Sequence, residues 1–195
     1  MAAVIRVASD IAASPGHTAQ PFQPSEVLLP HIRKAWSLDV LSRLRTEVES
    51  LSSKHAVVKG EALVGDAEAY AAASLRDGDV VFLDPPYSEA QYGRFYHVLE
   101  GIARGGWGVV SGAGRAPAPA ERASSEFSRK SRAREAMLCL LKSLRSKQLT
   151  AVLTYPEGLR SNDLTWEFIA QEAGGLGFVT EISHVPMSQF DSRWI

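Results

Sequence analysis

Four consecutive residues, Asp84-Pro85-Pro86-Tyr87, hold the densest chemistry in the chain. They end an apolar run, Val80 to Leu83, rich in β-branched and aromatic side chains. Proline has no backbone N–H, and Pro86 biases Pro85 toward an extended conformation. Carbonyl oxygens there can face outward beside the Asp84 carboxylate. Acceptors placed side by side suit a primary amino group, which offers paired N–H donors. Tyr87 adds a flat face on which a nucleobase can stack. The same residues also make a plain loop after a strand, since prolines stop pairing, Asp tolerates turns and Tyr covers an edge.

The elements around the motif must present it. "LRDGDVVFLD" places a turn at Asp77-Gly78 and a strand ending at Asp84. "HAVVKGEALVGDAEAY" reads as an earlier strand leading to Asp66 and a helix start. Gln91 to Ala103 has a helical pattern with Phe95, Val98, Leu99 and Ile102 on one side. Gly105 to Ser128 is rich in Gly, Ala, Pro and Ser and reads as a loop. Ser131 to Ser146 reads as a helix, "LTAVLTY" as a strand, Leu164 to Ala173 as a helix and "GFVTEISHV" as a strand. Met1 to Ala13 could begin as a helix, and the prolines of Ser14 to Pro24 exclude regular structure. His17, in that stretch, reads as a loop hydrogen-bonder rather than a catalyst. Leu28, Ile32, Trp36, Val40, Leu44 and Val48 recur every four residues, predicting one long amphipathic helix over residues 25–53 with that stripe inward. Strands alternating with helices predict an α/β domain with a parallel sheet, whose ligands bind at the carboxyl ends of the strands. Asp66, Asp84 and Tyr155 to Gly158 would share that rim.

Composition narrows the class. With 195 residues, 45% hydrophobic content and a net charge of −1, the chain is long enough for a real core and carries no overall charge that would draw a polyanion. Charge is concentrated locally, however: Arg115 to Lys147 holds nine Lys or Arg against three Glu. A solvated helix face accounts for such an excess as readily as phosphate binding does. The single cysteine, Cys139, lies in an apolar run and excludes both a disulfide framework and a zinc site; no metal site is expected. No run reaches the length of a membrane span, so the expected location is cytoplasmic.

On these residues the sequence resembles the D12 class of adenine-specific (N6) DNA methyltransferases, which carry a DPPY motif. "LDPPYSEAQYGRFYHVLE" is similar to that motif with its following loop and helix, "EFSRKSRAREAM" to a basic loop-to-helix segment, and "LTYPEGL" to a later strand end. Asp66, eighteen residues before Asp84, matches the position whose acid contacts the cofactor's adenine. The resemblance spans roughly residues 55–190 and implies a Rossmann-like fold dependent on S-adenosylmethionine. It implies that Asp84, Pro85, Pro86 and Tyr87 are catalytic, that Asp66 and Asp84 bind the cofactor, and that DNA is the partner. The adenine would be flipped out of the duplex, its amino group held by Asp84 and the Pro85 carbonyl and its ring stacked on Tyr87. Arg94, Arg129, Lys130 and Arg132 would hold phosphates, with Arg115, Arg122 and Arg134 nearby. Tyr155 and Glu157 would line the cofactor or base pocket, Glu157 being equally well read as a plain turn residue.

The resemblance has a gap. The family places a Phe-x-Gly-x-Gly cofactor loop before the motif, and neither "SGAGRA" nor "EAGGLGF" stands in the right place. The chain is therefore expected to be the C-terminal part of a methyltransferase, incomplete at its N-terminus. Residues 1–54 would form a loop-and-helix region able to contact DNA, and residues 55–195 the C-terminal part of the catalytic domain. Missing sheet strands would expose apolar surface, and a separate chain would supply them; alone, the protein is expected to bind cofactor poorly. The rival readings are a non-catalytic DNA-binding remnant and an amino methyltransferase acting on cytosine N4, RNA adenine or a glutamine amide.

Overall fold

The structure, a computed structural model, describes residues 1–14, 18, 21–112 and 114–185. His17 lies outside the described residues. In chain order the elements are α1 (Ala2–Ile11), α2 (Leu29–Trp36), α3 (Val40–Ser52), α4 (Ala67–Ala73), β1 (Val80–Leu83), α5 (Tyr92–Phe95) and α6 (His97–Arg104). They continue with β2 (Val110–Ser111), β3 (Ala116–Pro117), α7 (Ala133–Ser146), β4 (Thr150–Leu153) and α8 (Trp166–Gly175). Short 3₁₀ turns occupy Pro119–Glu121 and Glu126–Ser128. The described residues form two compact units, one from residues 1–61 and 92–123, the other from residues 62–91 and 124–185.

In the first unit α1 packs against α2, α3 and α6. Ala3 and Val7, one helical turn apart, are the buried face of α1. The single long helix expected over residues 25–53 is corrected to α2 and α3. Asp39 breaks it, because its carboxylate accepts from Ser42 N at 3.1 Å and caps α3. The break also undoes the expected stripe: Ile32 is buried, whereas Trp36, Val40 and Val48 are exposed. What α3 buries is Glu47, which accepts from Arg6 at 2.8 Å and Arg43 at 2.7 Å, while Arg43 also reaches Asp10 at 2.9 Å. A buried carboxylate needs such partners, and these ties hold α3 on α1. The helix expected over residues 91–103 is interrupted at Tyr96, which leaves helical geometry (φ −115°, ψ 17°) and separates α5 from α6. Gly101 is required on α6, since a Cβ there would lie 1.8 Å from Trp107 Nε1. The Gly/Pro-rich stretch after α6 contains the β2–β3 antiparallel pair.

The second unit is built on α7. Its buried positions Ala133, Met137, Leu140, Leu141 and Leu144 follow the 3.6-residue period and face Ala71 of α4, Phe127, Leu149, Leu164 and Ile169 and Ala173 of α8. β1 and β4 pair in parallel, Val80 opposite Thr150 through Leu83 opposite Leu153. Val81, Leu83, Ala151 and Leu153 pack on the core, while Val80, Phe82 and Val152 point outward and are exposed. Parallel sheets normally have both faces covered. The α/β expectation holds at the level of mixed helix and strand with a small parallel sheet. Among the described residues that sheet has only these two strands. The strand expected before Asp66 does not form: residues 53–65 are irregular, and Val57 and Val64 are fully exposed. Residues 178–185 are likewise irregular. A strand exists only through a partner ladder, and high β-propensity without one leaves extended coil.

Candidate active site

The motif begins where β1 stops. The ladder runs one step beyond the strands, because Thr154 N donates to Leu83 O at 3.0 Å. The Thr154 hydroxyl then donates to Asp84 Oδ1 at 2.9 Å. Strand pairing therefore orients the carboxylate. Pro86 O is also taken, by Asn162 Nδ2 at 3.0 Å. Among the described residues no hydrogen bond occupies Asp84 Oδ2 or the Pro85 carbonyl. Asp84 is exposed and Pro85 half-buried. The two open acceptors are those the sequence singles out for an amino group.

Residues 155–163, the loop after β4, brace the motif. Gly158 adopts φ +80°, the left-handed geometry that the turn after Glu157 needs. Ser161 Oγ accepts from Glu89 N at 2.9 Å, fixing the chain just past Tyr87. The Arg160 guanidinium lies 5.9 Å from the centre of the Tyr87 ring, within cation–π range, and also donates to Glu157 O. Tyr155 donates to Asn162 Oδ1 at 3.3 Å, and burial pushes its phenol up from the ordinary value. Tyr155 and Glu157 line a cavity of about 480 Å³ with Trp166 and His184, and His184 Nδ1 meets Glu157 Oε1.

The other predicted site residues are placed as follows. Asp66 is the N-cap of α4, its Oδ1 accepting from Ala69 N at 2.9 Å. No hydrogen bond or ion pair links it to the motif among the described residues. Arg129 pairs with Glu126 at 3.0 Å, and Arg132 pairs with Glu126 at 3.2 Å and Glu135 at 2.8 Å. All these side chains are about half exposed, and such pairs contribute about 0–1 kcal/mol, so a phosphate can displace the glutamates. Lys130 is exposed and makes no ion pair among the described residues. Arg134 is committed to Asp163 O at 2.9 Å and lies over Phe168. Arg94 lies in the first unit, exposed on α5. Arg122, also in the first unit, donates to Pro117 O at 2.8 Å. Nearby His97 is buried, with Nδ1 2.8 Å from Arg94 O and Nε2 2.7 Å from Gly114 O.

Sequence reasoning missed Thr154, Arg160, Ser161 and Asn162. A signal existed for Thr154, which directly follows the β4 run and precedes Tyr155-Pro156. None existed for Asn162, since Ser-Asn-Asp reads as an ordinary turn.

Residues 39–113 match the family model of the D12 class N6 adenine-specific DNA methyltransferase. The matched stretch contains Asp66, Asp84 to Tyr87 and Arg94, and it ends before Arg129, Lys130 and Arg132. Over that stretch the chain is similar to the class that the motif itself pointed to. No curated protein and no solved structure matches the chain. No helix among the described residues is long and apolar enough to cross a membrane.

Proposed function

We propose that this protein transfers a methyl group from S-adenosylmethionine to the N6 amino group of adenine in DNA. The carrying observation is the pair of open acceptors, Asp84 Oδ2 and the Pro85 carbonyl, left over once Thr154 and Asn162 have engaged their neighbours. An adenine amino nitrogen is a poor nucleophile because its lone pair is delocalised into the ring. Hydrogen bonds from its N–H groups to these acceptors favour a more tetrahedral nitrogen with an available lone pair. Alignment does most of the remaining work, and Asp84 need not be a strong base because the proton becomes acidic once nitrogen is alkylated. In a duplex the base must leave the stack, and Tyr87 supplies its new stacking surface, worth ~1–3 kcal/mol.

D12-class adenine DNA methyltransferases normally use S-adenosylmethionine, and the open carboxylate oxygens of Asp66 and Asp84 fit its amino and hydroxyl donors. When bound, that cofactor supplies a methyl group made electrophilic by its sulfonium. Arg94, Arg129, Lys130 and Arg132 bind phosphates in this reading, and the catalytic region has Rossmann-like organisation. The bare apolar face of Val80, Phe82 and Val152 favours a second reading, in which the reaction needs a further polypeptide over that face. The test is incubation of the protein with tritiated cofactor and duplex DNA or, in parallel, RNA, followed by nucleoside separation. Label in N6-methyladenine is expected; label in N4-methylcytosine, in RNA alone or in protein would overturn the assignment.

A further inference from the structure

Asn162 is completely buried, although its neighbours in sequence are those of a surface turn. Its Nδ2 donates to Pro86 O at 3.0 Å and to Phe127 O at 2.9 Å. Its Oδ1 accepts from the Tyr155 hydroxyl at 3.3 Å and from Leu164 N at 3.4 Å. A primary amide has two N–H donors and an oxygen with two lone pairs, so every position it can use is filled. Its partners come from separate parts of the chain. They are the Asp84 to Tyr87 loop, the 3₁₀ turn that opens the basic segment, the loop after β4 and the approach to α8. Pro86 and Phe127 lie 76 and 35 residues away in sequence.

We propose that Asn162 is a positioning residue for the substrate amino group. The ring of Pro86 locks its φ at about −65°, which couples the peptide planes on its two sides. Holding Pro86 O on Asn162 therefore holds the Pro85 carbonyl as well, which is next in sequence to Asp84. The second N–H of the same amide fixes Phe127 and with it the start of the segment bearing Arg129 and Lys130. One buried amide thus sets the acceptor geometry and ties it to the phosphate-binding segment. The role rests on the reading of Asp84 and Pro85 as acceptors for an amino group.

Asn162→Asp separates this role from packing, because it keeps the shape and removes both Nδ2 donors. Burial raises a carboxyl pKa, so at low pH the new side chain regains one O–H donor. The amide of Glu89, held by Ser161, reports loop order by hydrogen exchange. In Asn162→Asp at pH ~7.5 that amide is expected to exchange ~10-fold faster than in wild type at the same pH, with α7 amides within about 2-fold. At pH ~5.5 the excess shrinks to about 3-fold, which a shape effect alone would not do. Asn162→Ser, with one hydroxyl donor, falls between the two. With methyl transfer as the second readout, kcat falls about 30-fold, a larger effect than the rise in KM for DNA that follows from loosening Phe127. Unchanged Glu89 exchange, equal acceleration throughout α7, or a rise in KM with kcat unaltered would each overturn the proposal. Wild-type protein that transfers nothing overturns instead the underlying reading, and the exchange data still decide whether Asn162 holds the loop.

Discussion

Thr154→Val removes the only side-chain hydrogen bond to the Asp84 carboxylate among the described residues and keeps the β-branched shape. The backbone bond from Thr154 N to Leu83 O survives, so the strand end is preserved. A hydrogen bond to a charged group is worth about 1.5–3 kcal/mol when shielded from water. Asp84 is exposed, and water replaces the lost hydroxyl, so about 1 kcal/mol remains as orientation of the carboxylate. That corresponds to a rate roughly five-fold lower. Thr154 is itself exposed, and folding stability should change by no more than about 0.5 kcal/mol. Single-turnover methyl transfer, with Tm measured on the same preparation, reads both quantities. A rate within about 2-fold of wild type would show that strand pairing does not orient Asp84, and the reasoning from the ladder to the carboxylate would be wrong. A large fall in Tm would show instead that the hydroxyl serves the fold.

Two further outcomes follow from the same geometry. Lys130→Ala should weaken binding to all DNA sequences alike and flatten the dependence of log K on log salt by about 0.9; an unaltered slope would remove that lysine from the interface. Burial raises the Tyr155 phenol, so its donation to Asn162 is intact below the ordinary tyrosine value and is lost only as pH rises through the higher folded value. In a phenolate absorbance titration, Tyr155→Phe should delete a component that ionises above the ordinary tyrosine value; loss of a component at or below that value would contradict the buried placement.

What the sequence disclosed was what local pattern encodes. Val80 to Leu83 ends at Asp84 as its composition predicts, and α7 follows the spacing of Met137, Leu140, Leu141 and Leu144. Helix α3 was legible as helix but neither in its start nor in its inward face, because the cap at Asp39 begins the helix anew and Glu47, not Val40 or Val48, is buried. Val57, Val58 and Val64 have strand propensity, and no local pattern could say whether a partner ladder is present. Thr154 and Asn162 escaped notice for a related reason. Their partners are Asp84, Pro86 and Phe127, brought near only by the pairing of β1 with β4 and the packing around α7. The basic segment was visible as charge, while its pairing with Glu126 and Glu135 required the fold.

The central claim is that Asp84 accepts the amino group of a DNA adenine. Its most direct test compares wild type and Asp84→Ala for transfer of labelled methyl to adenine N6, with DNA affinity measured in parallel. The account predicts transfer by wild type and none by Asp84→Ala, at DNA affinities within about 3-fold of each other, since Asp84 contributes acceptor geometry and not phosphate binding. Transfer by Asp84→Ala at the wild-type rate would contradict it; absence of transfer by both proteins, with DNA binding that persists in Asp84→Ala, would favour the reading of a DNA-binding protein without methyl-transfer chemistry of its own.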